Sequence, residues 1–118
     1  MKHLLGIDEL SREDIQGILE KAQYYADALK SGDWDHEKLS GKIILHLFFE
    51  NSTRTRISFE LAEKRLSADI TNFSASSSSV NKGEGLKDTI QNIHAMKMDC
   101  VVMRHPVPGS CFHVSQFV

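Results

Sequence analysis

Two arginines and three hydroxyl side chains fall within the five residues from Ser52 to Arg56, inside the stretch FENSTRTRIS (49–58). The same residues are predicted to begin a helix, and a helix start is already positive because of its exposed N–H groups and its macrodipole. No acid follows until Glu60. Cations are tolerated there when an anion neutralises them, since N–H, hydroxyl and guanidinium groups all donate hydrogen bonds to oxyanions. The pattern therefore predicts a phosphate or phosphonate site.

The donors of this site would come from the first helical turn. Asn51 or Ser52 is the expected N-cap residue, which leaves the N–H groups of residues 53–55 pointing off the helix start. Side chains complete the oxyanion cradle, and the candidates are Ser52, Thr53, Arg54 and Thr55. The alternative is an ordinary helix start whose arginines reach solvent or pair with Glu60 and Glu63. A nucleoside triphosphate is disfavoured, because the P-loop pattern GxxxxGK[ST] is absent.

A third arginine and a lysine could reach the same ligand. Arg104 ends a predicted strand just before His105, where it could polarise a carbonyl oxygen or bind an acid. The alternative is that Arg104 is an ordinary strand-end residue whose side chain lies in solvent. Lys82 lies in the polar stretch SSSSVNKGE (76–84), which could fold over a phosphate as a lid or could be a simple linker.

Hydrophobic periodicity predicts the elements that position these residues. Ser11 and Asp14 resemble a capping box that opens an amphipathic helix, and Gly32 ends it. The apolar run KIILHLFF predicts a buried strand. The full predicted order is helix 12–30, strand 42–49, helix 53–67, strand 69–73, polar loop 74–85, helix 86–97, strand 99–104, turn 105–109 and the start of a further helix in 110–118.

The same periodicity assigns side chains to the interior. His46, in an otherwise apolar strand, is expected to be a satisfied packing residue rather than a catalyst. The apolar side chains of the second and third helices are expected to face inward, namely Ile57, Leu61, Ala62, Leu66, Ile90, Ile93 and Met96.

Alternation of strands and helices indicates an α/β fold, a parallel sheet of βαβ units with flanking helices. Such sheets bind ligands beyond the carboxyl ends of their strands. Three segments leave those ends, 50–55, 74–85 and 104–109, and they contain most of the polar residues that the predicted elements leave unexplained. We therefore expect one site at this edge of the sheet.

Composition narrows the classes of function. A formal net charge of −2 over 118 residues gives no global field for nucleic acid. We expect no signal peptide and no membrane span, and the two cysteines, Cys100 and Cys111, are typical of a reduced, intracellular protein. The six histidines form no HExxH or helical pair, so neither a metal site nor a cofactor is expected.

Three motifs resemble one family. FFENSTRTRISFE (48–60) is similar to the carbamoyl-phosphate signature of the aspartate and ornithine transcarbamoylases, and SSVNKGEGLKDT (78–89) and MRHP (103–106) follow in the matching order. Asn51 and the lysine of KGE resemble the aspartate branch. An ornithine-type acceptor is the alternative, as is a generic sugar-phosphate or flavodoxin-like binder.

The resemblance implies transfer of the carbamoyl group of carbamoyl phosphate to L-aspartate, an early step of pyrimidine biosynthesis in the cytoplasm. It implies that residues 52–55 hold the phosphate and that Thr55 and Arg104 bond the carbonyl oxygen. Arg54 would stabilise the leaving phosphate. It also implies a homotrimer in which Ser78 (or Ser79) and Lys82 enter the site of a neighbouring subunit.

The resemblance covers part of a longer enzyme. It implies that residues 1–118 correspond to a carbamoyl-phosphate-binding domain, which we expect to be incomplete at its C-terminus and to lack the aspartate-binding domain. We therefore expect either a fragment whose activity belongs to the longer chain, or an anion-binding module without turnover. Whether regulatory chains accompany it stays open.

Overall fold

The computed structural model describes residues 2–74 and 86–118, which group into two compact units, 1–35 and 36–118. Four helices and three strands lie within the described residues. In chain order they are α1 (Arg12–Ser31), β1 (Ile43–Phe48), α2 (Thr53–Arg65), β2 (Asp69–Ser74), α3 (Leu86–Ala95), β3 (Cys100–Arg104) and α4 (Ser110–Ser115). The predicted elements are confirmed, with ends that differ by at most two residues.

Helix α1 dominates the first unit, and both of its ends are capped as the sequence predicts. The Ser11 hydroxyl accepts a hydrogen bond from the N–H of Asp14 at 3.0 Å, and the Asp14 carboxylate accepts one from the N–H of Ser11 at 3.1 Å. At the other end Gly32 adopts φ 77°, where a side chain would be strained. These bonds satisfy N–H groups that a helix start otherwise leaves unpaired.

The second unit is built on a parallel sheet with the strand order β2-β1-β3. Ile43 to Phe48 of β1 pair in register with Asp69 to Ser74 of β2. On the other side, Ile44 to Phe48 pair with Cys100 to Arg104 of β3. All three strands thus end at one edge of the sheet, as the predicted α/β fold class requires.

One face of the sheet carries the hydrophobic core. Leu45 and Leu47 of β1, only 2% and 0% exposed, pack with Ile90 of α3 and Val114 of α4. Around them lie partly buried apolar side chains that include Ile93, Phe73, Met98, Val101 and Met103. Burial of this apolar surface is the main free energy that holds the sheet to α3 and α4.

On the opposite face of the sheet, a buried polar pair joins β1 to α2. Successive strand residues point to opposite faces, so His46 lies opposite Leu45 and Leu47. There it meets the buried Glu63 of α2. The predicted inward face of this helix was wrong, because Ile57 and Leu61 are 43% and 46% exposed.

Two further assignments from the sequence need comment. Met96 was wrongly predicted to be interior: α3 ends at Ala95 and Met96 is 67% exposed, while Met98 packs on the core instead. Among the described residues, no helix has the length and apolar character needed to cross a membrane.

We expect Leu47→Ala to lower the free energy of unfolding by about 2–5 kcal/mol, since it removes a fully buried side chain and leaves a cavity in the core. Leu19→Ala, at a position that is 64% exposed, is the matched control and should change it by less than about 0.5 kcal/mol. Urea unfolding measures both. Equal losses in the two variants would contradict this location of the core.

Candidate functional site

Arg104 is the centre of a hydrogen-bond cluster at the carboxyl edge of the sheet. Its Nε donates to Glu50 Oε1 at 2.5 Å. One of its terminal nitrogens, Nη1, donates to the hydroxyls of Ser52 at 2.8 Å and of Thr55 at 3.2 Å. A single guanidinium group therefore joins the end of β3 to the segment after β1 and to the first turn of α2.

The parallel register produces this meeting. Phe48, the last residue of β1, pairs with Arg104, the last residue of β3. The ladder continues one step further, because the N–H of Phe49 donates to the Arg104 carbonyl at 2.9 Å. Residues some fifty positions apart in the chain are thus brought together by two neighbouring strand ends, as the sequence predicts for segments 50–55 and 104–109.

Ser52 is the N-cap residue of α2, but its hydroxyl does not cap the helix. The side chain makes no cap hydrogen bond and instead accepts from Arg104. The helical ladder begins with the N–H of Arg56, which donates to the Ser52 carbonyl at 3.1 Å. The N–H groups of residues 53–55 precede that bond, so the helix itself gives them no acceptor. With no acidic residue in the first turn, they are suited to an anion.

The remaining first-turn side chains divide between solvent and protein. Thr53 and Arg54 are exposed, while Thr55 is half-buried against Arg104. Arg56 pairs with a glutamate, which was the alternative to an anion site in the sequence analysis: its Nη1 lies 3.8 Å from Glu60 Oε1. Arg54 thus stands at the open side of the turn, within reach of a ligand at the helix start.

Glu50 is a site residue that the sequence analysis missed. Its carboxylate forms an ion pair with Arg104, and both side chains are partly exposed, 35% and 49%. The available signal was its position: it leaves β1 directly before the cation-rich motif. Because it neutralises Arg104, an incoming anion must compete with it for that cation.

His105 is a second residue that was given no role from the sequence. Its Nδ1 accepts a hydrogen bond from the N–H of Val107 at 3.1 Å and lies 3.0 Å from the Ser110 hydroxyl. The ring also packs on Phe49, with 5.0 Å between the centroids. These contacts stabilise the turn that directly follows Arg104.

The lid residues predicted from the sequence, Ser78 and Lys82, lie outside the described residues. Within the described ranges, no three His, Cys, Asp or Glu side chains are grouped so that they could hold a metal ion. The structure therefore brings together Ser52, Thr55 and Arg104, with Thr53 and Arg54 on the same helical turn.

The fold is an α/β domain of the parallel-sheet class, and the donors at its sheet edge are suited to an anion. Over residues 2–117 the chain matches the aspartate/ornithine carbamoyltransferase family, in its carbamoyl-P binding domain. The chain belongs to this family, and the resemblance found in its three motifs is confirmed.

Several relatives bear the same name. The aspartate carbamoyltransferase catalytic subunit of Christiangramia forsetii is 55% identical over 116 residues, which are 98% of this chain and 37% of the relative. That of Corynebacterium glutamicum is 49% identical over 119 residues, 100% of this chain and 38% of the relative. The chain thus spans little more than a third of the length of these relatives.

Solved structures agree with the sequence relatives. Aspartate transcarbamoylase from Trypanosoma cruzi, in complex with carbamoyl aspartate and phosphate, superposes with a TM-score of 0.88 at 34% identity, covering 99% of this chain and 37% of that one. The catalytic subunit of M. jannaschii aspartate transcarbamoylase gives 0.87 at 39% identity, covering 99% and 38%. The aspartate branch is therefore represented among both kinds of relative.

Replacement of Glu50 by Gln should tighten binding of inorganic phosphate by up to about fivefold. The variant frees Arg104 from an exposed ion pair, and such pairs contribute up to about 1 kcal/mol. Isothermal calorimetry measures the affinity. The control is Glu20→Gln, the same change of charge in α1, which should leave the affinity unchanged; an equal gain in both variants would contradict a specific competition at Arg104.

Proposed function

We propose that this chain is the carbamoyl-phosphate-binding part of an aspartate carbamoyltransferase. The reaction converts carbamoyl phosphate and L-aspartate to N-carbamoyl-L-aspartate and phosphate. The observation that carries the proposal is the pair of hydrogen bonds from Arg104 to Ser52 and Thr55, which brings residues of two family motifs together around one point. That point lies at the carboxyl edge of a parallel sheet, where such folds bind ligands.

The phosphate group occupies the start of α2 in this proposal. The N–H groups of residues 53–55 point at its oxygens, and the side chains that hold it are Ser52, Thr53, Arg54 and Thr55. The start of the helix supports this placement. The Ser52 side chain makes no cap hydrogen bond, so it does not accept from these N–H groups. Arg54, exposed on the first turn, can follow the charge that grows on the leaving oxygen.

The carbonyl oxygen of the carbamoyl group binds between Thr55 and Arg104. The aspartate nitrogen attacks the carbonyl carbon, and its new N–C bond makes that oxygen an oxyanion. The intermediate collapses when the C–O bond to phosphate breaks, and the nitrogen loses a proton. Donors held beforehand by the sheet stabilise both developing charges without reorganising, which is how preorganised electrostatics lowers a barrier. Alignment of the two bound substrates supplies the rest.

The acceptor is aspartate rather than ornithine. The relatives described above are aspartate enzymes, at identities of 34–55%. Asn51 and Lys82 of this sequence also resemble the aspartate branch. The product enters pyrimidine biosynthesis, and we place the protein in the cytoplasm.

A homotrimer with shared active sites completes the proposal. Ser78 and Lys82 of one subunit would reach the phosphate held by the first turn of α2 in its neighbour. In support, α2 exposes an apolar stripe of Ile57 and Leu61 beside that turn, and exposed apolar surface favours association. Analytical ultracentrifugation should then give a trimer that Leu61→Asp dissociates, whereas Leu19→Asp in α1 leaves the mass unchanged.

Carbamoyl phosphate should shift the amide resonances of residues 52–55 and 104 in isotope-labelled protein. Arg54→Ala should weaken binding by about ten- to a hundredfold, since hydrogen bonds to charged groups contribute about 1.5–3 kcal/mol. Arg12→Ala is the matched control, because Arg12 also lies on the first turn of a helix. Equal weakening in the two variants, or shifts spread evenly over the chain, would count against the site.

We expect the 118-residue chain to bind carbamoyl phosphate without turning it over. The matched family region describes carbamoyl-P binding, and the acceptor site belongs to the longer enzyme in this proposal. A colorimetric assay for carbamoyl aspartate, run on pure chain with saturating aspartate, tests this. Product above the level of an Arg54→Ala blank would overturn the expectation.

A further inference from the structure

A buried hydrogen-bonded pair lies beneath the helix that forms the proposed phosphate site. His46 of β1 is 1% exposed and Glu63 of α2 is 6% exposed. Nε2 of His46 is 2.6 Å from Glu63 Oε1 and 2.9 Å from Oε2, so the imidazole meets both carboxylate oxygens. Because carboxylate oxygens accept, the hydrogen lies on Nε2.

The other side of the imidazole ring is not hydrogen-bonded. Nδ1 of His46 is buried and has no hydrogen-bond partner among the described residues. Its nearest charged neighbour is Glu60 Oε1 at 3.9 Å, and Glu60 in turn lies 3.8 Å from Arg56. The short bonds through Nε2 are therefore the directional contact between this ring and α2.

Within one subunit, burial of the large apolar side chains of α2 does not set the rotation of the helix about its axis. The apolar stripe of Ile57 and Leu61 is turned away from the sheet, while Glu60 and Glu63 are turned to it. Ile57 and Arg56 are adjacent in the helix, so their side chains point in directions about 100° apart around its axis. A rotation of that size would bury the stripe, and it would carry Thr55 away from Arg104.

We propose that His46 and Glu63 are positioning residues for the anion site. Their directional bond holds α2 at the rotation that aims Thr55 at Arg104 and Arg54 at the open side of the first turn. The identity of the ligand rests on the proposed function above. The positioning itself rests on the contacts of His46, Glu63 and Arg104.

The location of His46 suits it to this role. It belongs to the central strand, where it pairs in register with Asn72 of β2 and Val102 of β3. Burial, followed by the charge of Glu63, raises the pKa of the Cys100 thiol, so the carboxylate also lies near β3. Because β1 is hydrogen-bonded on both sides, His46 cannot shift without breaking the sheet.

Two substitutions of Glu63 distinguish a positioning role from a purely stabilising role. Glu63→Gln keeps an oxygen that accepts from Nε2, and it should keep the affinity for inorganic phosphate within about threefold. Glu63→Met has a similar size and no such acceptor, and we expect it to weaken phosphate binding at least tenfold. Glu60→Gln, whose side chain makes no hydrogen bond to His46, is the matched control and should behave as the unaltered chain.

The double variant His46→Leu/Glu63→Leu gives the decisive comparison. Replacing a buried pair by apolar residues often preserves or raises stability, so its urea midpoint should equal or exceed that of the unaltered chain. An apolar contact has no direction, and phosphate binding should stay at least tenfold weaker. Recovery of both stability and affinity would overturn the proposal, as would unaltered affinity in a folded Glu63→Met variant.

A structural readout separates this inference from the proposed function. In the unaltered chain, nuclear Overhauser effects should join the Thr55 methyl group to the Arg104 side chain whether or not phosphate binds. Glu63→Gln should keep these effects, and Glu63→Met should lose them. If phosphate fails to bind the unaltered chain, the proposed function fails, while the presence of these effects in Glu63→Met would refute the positioning role.

Discussion

The hydrogen bonds of Arg104 are the interaction on which the site depends. They join the end of β3, the segment that follows β1 and the first turn of α2. None of these segments forms the cluster alone, because the guanidinium group, its carboxylate partner and the hydroxyls come from different segments of the chain. The parallel pairing of Phe48 with Arg104 makes the meeting possible, and the apolar core on the far side of the sheet holds that pairing in place.

The helices on the two faces of the sheet are held by different kinds of contact. Leu45 and Leu47 direct apolar surface towards α3 and α4, where burial is strong and has no preferred direction. His46, between them in the chain, directs a hydrogen-bonding group towards α2. The face with the directional contact is the one whose helix carries the proposed binding residues. Apolar packing thus supplies stability on one side, and polar geometry supplies alignment on the other.

The sequence predicted the strands, the helices and the edge at which the site lies, because apolar periodicity and turn residues are local signals. It placed the wrong side of α2 in the interior. Periodicity assigns apolar residues such as Leu61 inward, but His46 provides a polar partner from another strand that no local pattern reveals. Glu50 was missed for the same reason, since its partner Arg104 is 54 residues away. Residues 75–85, with the predicted lid, lie outside the described structure.

The hydrogen bond of the Ser52 hydroxyl to Arg104 determines how a ligand in the site would affect the start of α2. It accepts from a side chain of β3 instead of closing its own helix, so α2 begins without the cap that Ser11 gives α1. An oxyanion bound as proposed would supply the missing acceptor and would thereby become the N-cap of α2. Part of the binding free energy is then the free energy of completing a helix. The first turn of α2 should accordingly exchange its amide hydrogens more slowly when the site is filled, and ligand affinity should follow any change that alters the tendency of residues 53–56 to be helical.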